Sequence, residues 1–286
     1  MSGWRLALRR PPPLRLDLRG LTPAALAGLG QAQVERWPLG HGRETLALAE
    51  CFDVSAQPDD GLLFEGNLSR CDHLGWGMDG GRIRVLGPVG DGVGTGMRAG
   101  ELRVDGNAGD LAACEMAGGL LHIGGDVGHF AASTLPGSID GMRGGLLRID
   151  GHAGDRLADR MRRGTVLLRG DAGAYAASRL VAGTVLLGGR AGAQVGYGMR
   201  RGSVVCAAGP QAVTVPGSFV PAGAEVPVFW ALLSRSLARL AGPQPDAPWP
   251  ERALAEHPFA GLGRRPIQRH LGDRAQGGFG ELIHLC

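Results

Sequence analysis

Between residues 82 and 206 the chain alternates apolar and polar positions in short bursts, and the bursts recur. The pairs Ile83/Val85, Leu102/Val104, Leu121/Ile123, Leu147/Ile149, Val166/Leu168, Val185/Leu187 and Val204/Cys206 mark one face. Arg84, Arg103, His122, Arg148, Leu167, Leu186 and Val205 stand between them. Alternation is the period of a strand, so each burst predicts one short strand with a constant aliphatic face and a variable one. Before each burst, from the second on, lies a Gly-x-[Ala/Val]-Gly segment, as in Gly106-Asn107-Ala108-Gly109. Met78, Met97, Met116, Met142, Met161 and Met199 occupy one register of the repeat, with Leu180 in the vacant one. Three residues after each comes a glycine: Gly81, Gly100, Gly119, Gly145, Gly164, Gly183 and Gly202.

Repeat starts at Gly66, Gly87, Gly106, Gly125, Gly151, Gly170 and Gly189 are spaced 21, 19, 19, 26, 19 and 19 residues apart. The 26-residue unit is a normal one with a loop added around Thr134–Ile139. A period in this range indicates a solenoid. A helical repeat is excluded, since each glycine would cost a helix about 1 kcal/mol. In stacked strands the same glycines supply corners and close backbone approach. Small residues three positions before the methionines (Gly75, Gly94, Ala113, Ala158, Ala177, Gly196) fit a crowded corner, and the flexible methionines fill the coil interior. The expected fold is mainly β: a right-handed parallel β-helix of about seven 19-residue coils, its hand taken from the rule for parallel crossovers.

Open solenoid ends need caps. Residues 1–65 are read as an N-terminal α/β cap. It has an alternating Leu14/Leu16/Leu18 segment, a short helix from Thr22-Pro23 through Leu29, and a strand over Glu44–Phe52. Residues 66–206 form the β-helix. Residues 207–286 carry a helix over Pro227–Leu240, with Phe229, Leu232, Leu233, Leu237 and Leu240 on one face. A stretch with Pro243, Pro245, Pro248 and Pro250 follows, then an extended, partner-binding tail that lies along a surface.

Composition changes this picture little. Gly 51 of 286 residues is high but periodic, so disorder is excluded. All 30 basic residues are arginine, and a formal net charge of +3 gives no footprint for nucleic acid. No apolar run is long enough to span a membrane, and none resembles a signal peptide. Cys51, Cys71, Cys114, Cys206 and Cys286 include no CxxC pair, which suits a cytoplasmic chain with reduced thiols.

Candidate chemistry is sparse. Gly90, Gly92, Gly94 and Gly96 imitate a dinucleotide fingerprint, but they sit on repeat columns with a strand following, so they read as coil corners. The histidines are scattered and form no metal set; His129 and His152 occupy turn positions that elsewhere hold aspartate or glycine. Asp91, Asp110 and Asp155 recur at the coil period, which is turn chemistry. No catalytic constellation and no metal site is expected in this chain.

Two surface features suit partners. Leu167, Leu186 and Val205 make an apolar stripe three coils long, read as a partner interface or as a seat for the chain's own tail. The residues after the methionines give Arg98, Arg143, Arg162/Arg163 and Arg200/Arg201, a basic ridge interrupted at Asp79, Ala117 and Val181. Guanidinium forks suit carboxylates, so Arg162, Arg163, Arg200 and Arg201 are the candidate binding residues for an acidic partner surface or tail.

The glycine-marked units, the preceding Cys51-Phe52-Asp53-Val54 and Phe64-Glu65-Gly66-Asn67-Leu68, and the tail Gly280-Glu281-Leu282 resemble the GXGXG β-helix family. The likeness is greatest to the C subunit of formylmethanofuran dehydrogenase. A related domain ends the large chain of glutamate synthase, but the present chain has no amidotransferase or flavin region. The resemblance implies a non-catalytic structural subunit of a one-carbon enzyme complex. One form of that complex uses tungsten or molybdenum and iron–sulfur clusters on other subunits. The other, in methylotrophic bacteria, is a formyltransferase/hydrolase complex. It moves formyl from tetrahydromethanopterin to a methanofuran-like carrier (methylofuran) and hydrolyses it to formate during formaldehyde oxidation. The arginine-only composition favours the second. Its implied partners are an amidohydrolase-like subunit, a formyltransferase subunit and one further subunit, with any metal held by another subunit. The carrier's polyglutamyl tail would suit the arginine ridge.

Overall fold

The computed structural model describes residues 3–225, 228–241, 259 and 262–286. Its dominant feature is a 13-stranded, mostly parallel sheet. The strands Leu62–Glu65, Asp79–Leu86, Ala99–Val104, Leu120–Ile123, Arg143–Ile149, Arg163–Leu168, Thr184–Leu187 and Ser203–Cys206 follow one another in parallel register. Residues one repeat apart lie side by side: Leu102 pairs with Leu121, and Val166 with Val185. Two further ladders run at the same period. Single parallel bridges link Leu68, Val89, Ala108, Val127, Ala153, Ala172 and Ala191 in turn. At the corners, backbone N–H groups reach the next repeat, as from Leu111 to the His129 carbonyl at 2.9 Å. Each repeat is thus hydrogen-bonded to its neighbour along three columns.

The interior is the aliphatic column read from the sequence. Ile83, Val85 and their counterparts through Val204 and Cys206 are fully buried, and so are the methionines from Met97 to Met199. The corner before each methionine uses left-handed backbone at alternate residues. Gly92, Gly94 and Gly96 have φ of 71°, 66° and 64°, and Leu111, Ala113 and Glu115 have 63°, 56° and 54°. The glycine-rich segment is therefore a coil corner whose conformation persists where glycine is absent.

The flanks depart from expectation in several places. The stack begins at Leu62–Glu65, and Gly3–Leu8 inserts beside that strand in parallel, closed by antiparallel Phe52–Gln57. The expected Glu44–Phe52 strand is instead the strand Glu44–Ala47 and a helical turn Leu48–Cys51, before Phe52 opens the next strand. The first helix stops at Leu26, N-capped by Thr22, whose Oγ1 accepts the Ala25 N–H at 3.3 Å. Leu14 is exposed whereas Leu16 and Leu18 are buried.

At the other end the helix spans Val228–Ala241. It buries Trp230 and Leu237, while Leu232, assigned to the apolar face, is 59% exposed. The Trp230 indole donates to the Leu262 carbonyl, an anchor that the leucine spacing did not reveal. The proline stretch at Pro243, Pro245, Pro248 and Pro250 lies outside the described residues. The tail does not lie along a surface. Gly280–Leu285 joins the stack as its next parallel strand, pairing Ser203 with Glu281 and Cys206 with His284. Ile267–Gly272 and Val220–Glu225 then close the edge in antiparallel fashion.

Candidate functional site: an arginine-lined groove

Because each methionine side chain turns inward after its left-handed corner, the residues that follow are directed outward. On successive coils this places Arg143, then Arg162 and Arg163, then Val181 and Ala182, then Arg200 and Arg201 along one groove of about 700 Å³. All five arginines are exposed. Arg143 and Arg163 are direct register partners across neighbouring strands. With strands about 4.8 Å apart, the arginines span roughly 14 Å along the stack. The four arginines singled out from the sequence therefore meet in one site. Arg98, from the same sequence ridge, does not line it.

The tail supplies the end wall. Gln276, Gly277 and Phe279 line the groove. Asp273 holds this turn: its carboxylate accepts the Gly198 N–H at 2.9 Å and the Ala275 N–H at 3.0 Å. The Phe279 N–H donates to the Arg200 carbonyl at 2.8 Å. The Phe279 ring, 68% exposed, carries the Arg274 guanidinium 5.2 Å from its centroid. No carboxylate among the described residues lines the groove. Arg162 is held from outside it by Asp140, Nε to Oδ1 at 2.5 Å, in a pair that is half exposed. Such a pair contributes little to stability but fixes a side chain's direction. The site presents several guanidiniums, an aromatic face and an amide, a set that suits a chain of carboxylates. Sequence spacing could find the arginines. It could not find Asp140, which holds Arg162 from just after the inserted loop, or Phe279, which lines the groove from the turn before the extra tail strand.

The apolar stripe requires a correction. Leu167, Leu186 and Val205 are at most 1% exposed and pack with Trp230, Leu237, Phe259, Leu262, Ile267, Ile283 and Leu285. The C-terminal segment of the same chain covers them, so they are not a surface for a second subunit. Along the added tail strand the faces alternate: Leu282 faces the coil core, while Ile283, the register partner of Val205, and Leu285 extend the stripe.

Further along the same outward column the residues are charged and satisfied among themselves. Asp105 accepts from Arg84 and Arg103 at 2.9 and 2.8 Å. Asp150 meets His122 Nε2 at 2.8 Å and Arg148 Nε at 3.4 Å. Burial pushes the Asp150 carboxyl up, but hydrogen bonding and charge from His122, with Arg148 and Arg169, hold it below the usual carboxylate range.

The recurring turn aspartates also have a structural task. Asp110 Oδ1 accepts the His129 N–H at 2.7 Å, and His129 Nδ1 in turn accepts the Asp155 N–H at 3.0 Å. His152 likewise accepts from Asp171 at 2.9 Å after donating its own N–H to Asp126 at 2.7 Å. Both histidines thus stand in for acidic acceptors in side-chain ladders. Burial pushes the thiols of Cys71, Cys114 and Cys206 up to about 12, so they stay protonated at neutral pH. Among the described residues no group of three or more His, Cys, Asp or Glu side chains could hold a metal ion. Nor is any described helix long and apolar enough to cross a membrane.

No protein-family model matches the chain. Over 85 residues it is 40% identical to the C subunit of the formyltransferase/hydrolase complex Fhc of Methylorubrum extorquens, an alignment covering 30% of this chain and 32% of that protein. Structurally it matches a chain of the formyltransferase/hydrolase complex of Methylorubrum extorquens, crystallised with methylofuran. That match has a TM-score of 0.87 and 39% identity, and covers 99% of both chains.

Proposed function

Because the chain belongs to the family of the formyltransferase/hydrolase complex C subunit, we propose that it is the non-catalytic structural subunit of such a complex in the cytoplasm. Its repeats wind as a right-handed parallel β-helix, supported by three parallel ladders at one period and by the crossover rule. Catalytic subunits, amidohydrolase-like and formyltransferase among them, assemble on this rod. They pass formyl from tetrahydromethanopterin to a methylofuran-type carrier and release formate, with any metal on another subunit.

The observation that carries the chain's own part is the groove of Arg143, Arg162, Arg163, Arg200 and Arg201. It holds the anionic, polyglutamyl end of the carrier while the formyl-bearing end visits catalytic sites elsewhere. Guanidiniums spaced along the coil stack meet successive carboxylates, and Phe279 packs against the linker between them. Anchoring one end raises the effective concentration of the other without any catalytic group on this chain.

Assays of the chain alone and in the assembled complex test this reading. Alone it should neither transfer formyl nor release formate; co-assembled with the remaining subunits it should support both. Formate release by the isolated chain would overturn the non-catalytic assignment. In the complex, KM for the carrier should rise as its glutamyl tail is shortened while kcat is kept, the signature of lost uniform binding.

A further inference from the structure

A second surface is built at some cost to the backbone. The first left-handed position of each corner is Gly92 on one coil, but Leu111, Phe130, Arg156 and Tyr175 on later ones, with φ of 63°, 60°, 61° and 61°. Left-handed backbone is adverse for any residue with a Cβ and most of all for bulky ones. The coil corner imposes it here, as it does on the buried Ala113, Ala132, Ala158 and Ala177. A bulky side chain at the first position therefore adds a cost that glycine would not. These bulky side chains do not serve the core. Phe130 is 39% exposed, and it forms a ladder with the Arg156 guanidinium 6.0 Å from its centroid and 4.9 Å from that of Tyr175. Tyr197, 49% exposed, stands edge-on to Tyr175 at 6.0 Å. Exposed tyrosine, phenylalanine and arginine in one cluster are the residue types that dominate protein interfaces.

Beside this ladder the inserted loop, Thr134–Ser138, walls a cavity of about 490 Å³ lined also by Phe130, Arg156, Arg160 and Arg179. The loop is tethered: the Leu135 N–H donates to Glu115 Oε1 at 3.3 Å, and Asp140 binds Arg162. Ile139 on it is 70% exposed. The charges in the cavity do not cancel. Asp159 is buried and already engaged by Arg179 and by the Ser178 hydroxyl at 2.6 Å. Among the described residues, neither Arg156 nor Arg160 forms an ion pair.

We infer that this ladder and cavity form the docking site for a segment of a partner subunit in which a carboxylate side chain is flanked by apolar ones. The carboxylate enters between Arg156 and Arg160, and the apolar flanks cover Phe130, Leu135 and Ile139. The inference rests on the reading of the chain as a complex subunit, and it names the surface that does the assembling.

The test co-expresses the chain with the remaining subunits of its complex and measures assembly by native mass spectrometry and gel filtration. One variant carries Phe130→Gly, Arg156→Gly and Tyr175→Gly; another carries Arg156→Glu and Arg160→Glu. Glycine relieves the left-handed backbone, so the isolated first variant should melt at the same or a higher temperature, yet associate at least ~10-fold more weakly. The second should fold normally and also lose association, through charge repulsion. A lowered melting temperature in the glycine variant, or undiminished assembly of either variant, overturns the inference alone. So does a loss confined to self-association of the isolated chain, which would make the occupant a second copy. Failure of the unaltered chain to assemble would instead sink the subunit reading, and this inference with it.

Discussion

Met97 packs its terminal methyl beneath Gly119, one coil further on: a Cβ placed on Gly119 would fall 2.8 Å from Met97 Cε and 2.7 Å from the Gly100 carbonyl oxygen. The same pairing joins Met78 to Gly100, Met116 to Gly145, Met142 to Gly164 and Met161 to Gly183, and Leu180 meets Gly202 in the coil without a methionine. The Met-x-x-Gly register of the sequence is therefore the imprint of a knob on one coil entering a hole in the next.

Gly119→Ala should destabilise the chain by about 2–4 kcal/mol, because the new methyl meets backbone as well as side chain and Gly119 has a φ of 82°. Urea unfolding measures it. Adding Met97→Ala removes only the side-chain contact, so the double variant should stay well below Met97→Ala alone. Full rescue by Met97→Ala would show that the carbonyl contact does not matter.

Asp150 predicts an acid limb of stability. Its folded pKa lies below the unfolded value, so its contribution is complete above roughly pH 4 and is lost as pH falls through the folded value. Replacing it with Ala removes the carboxylate that His122 Nε2 and Arg148 Nε meet, both largely buried, at a cost of about 1–3 kcal/mol at neutral pH. Stability measured from about pH 6 to about pH 2.5 should fall less steeply in the variant. An unchanged acid slope would contradict the assignment.

Thiol reactivity follows burial. Cys286 is exposed, Cys51 is partly covered with its pKa raised by burial, and the remaining three are buried. A disulfide reagent at neutral pH should modify Cys286 quickly and Cys51 slowly, and reach Cys71, Cys114 and Cys206 only on unfolding. Rapid reaction of all five thiols would mean that the coil interior opens readily.

The repeating part of the molecule was legible because its physics repeats. An aliphatic pair and a methionine recur wherever a coil must close on its neighbour, so the interior from Ile83 to Cys206 could be read off directly. The ends were not, because they join the stack with only part of its signature. Gly280–Leu285 has no methionine before it to mark it as a coil strand, yet it pairs with Ser203–Cys206, and Gly280 receives the Met199 side chain as Gly119 receives that of Met97. The groove was half visible. Its arginines follow the methionines, whereas Asp140 and Phe279 arrive from a loop and a tail whose folding is not periodic. The ladder of Phe130, Arg156 and Tyr175 carried no signal, since its members share a backbone conformation rather than a chemistry.

The most direct measurement of the central claim is carrier retention by the assembled complex when Arg162, Arg163, Arg200 and Arg201 are all changed to Gln. Losing several charge-assisted contacts of about 1.5–3 kcal/mol each should release a polyglutamyl carrier during gel filtration, at least ~100-fold more readily than from the unaltered complex. Turnover with a carrier of truncated tail should be unaffected. Retention identical to that of the unaltered complex would contradict the account, and would leave the groove as a solvated rim.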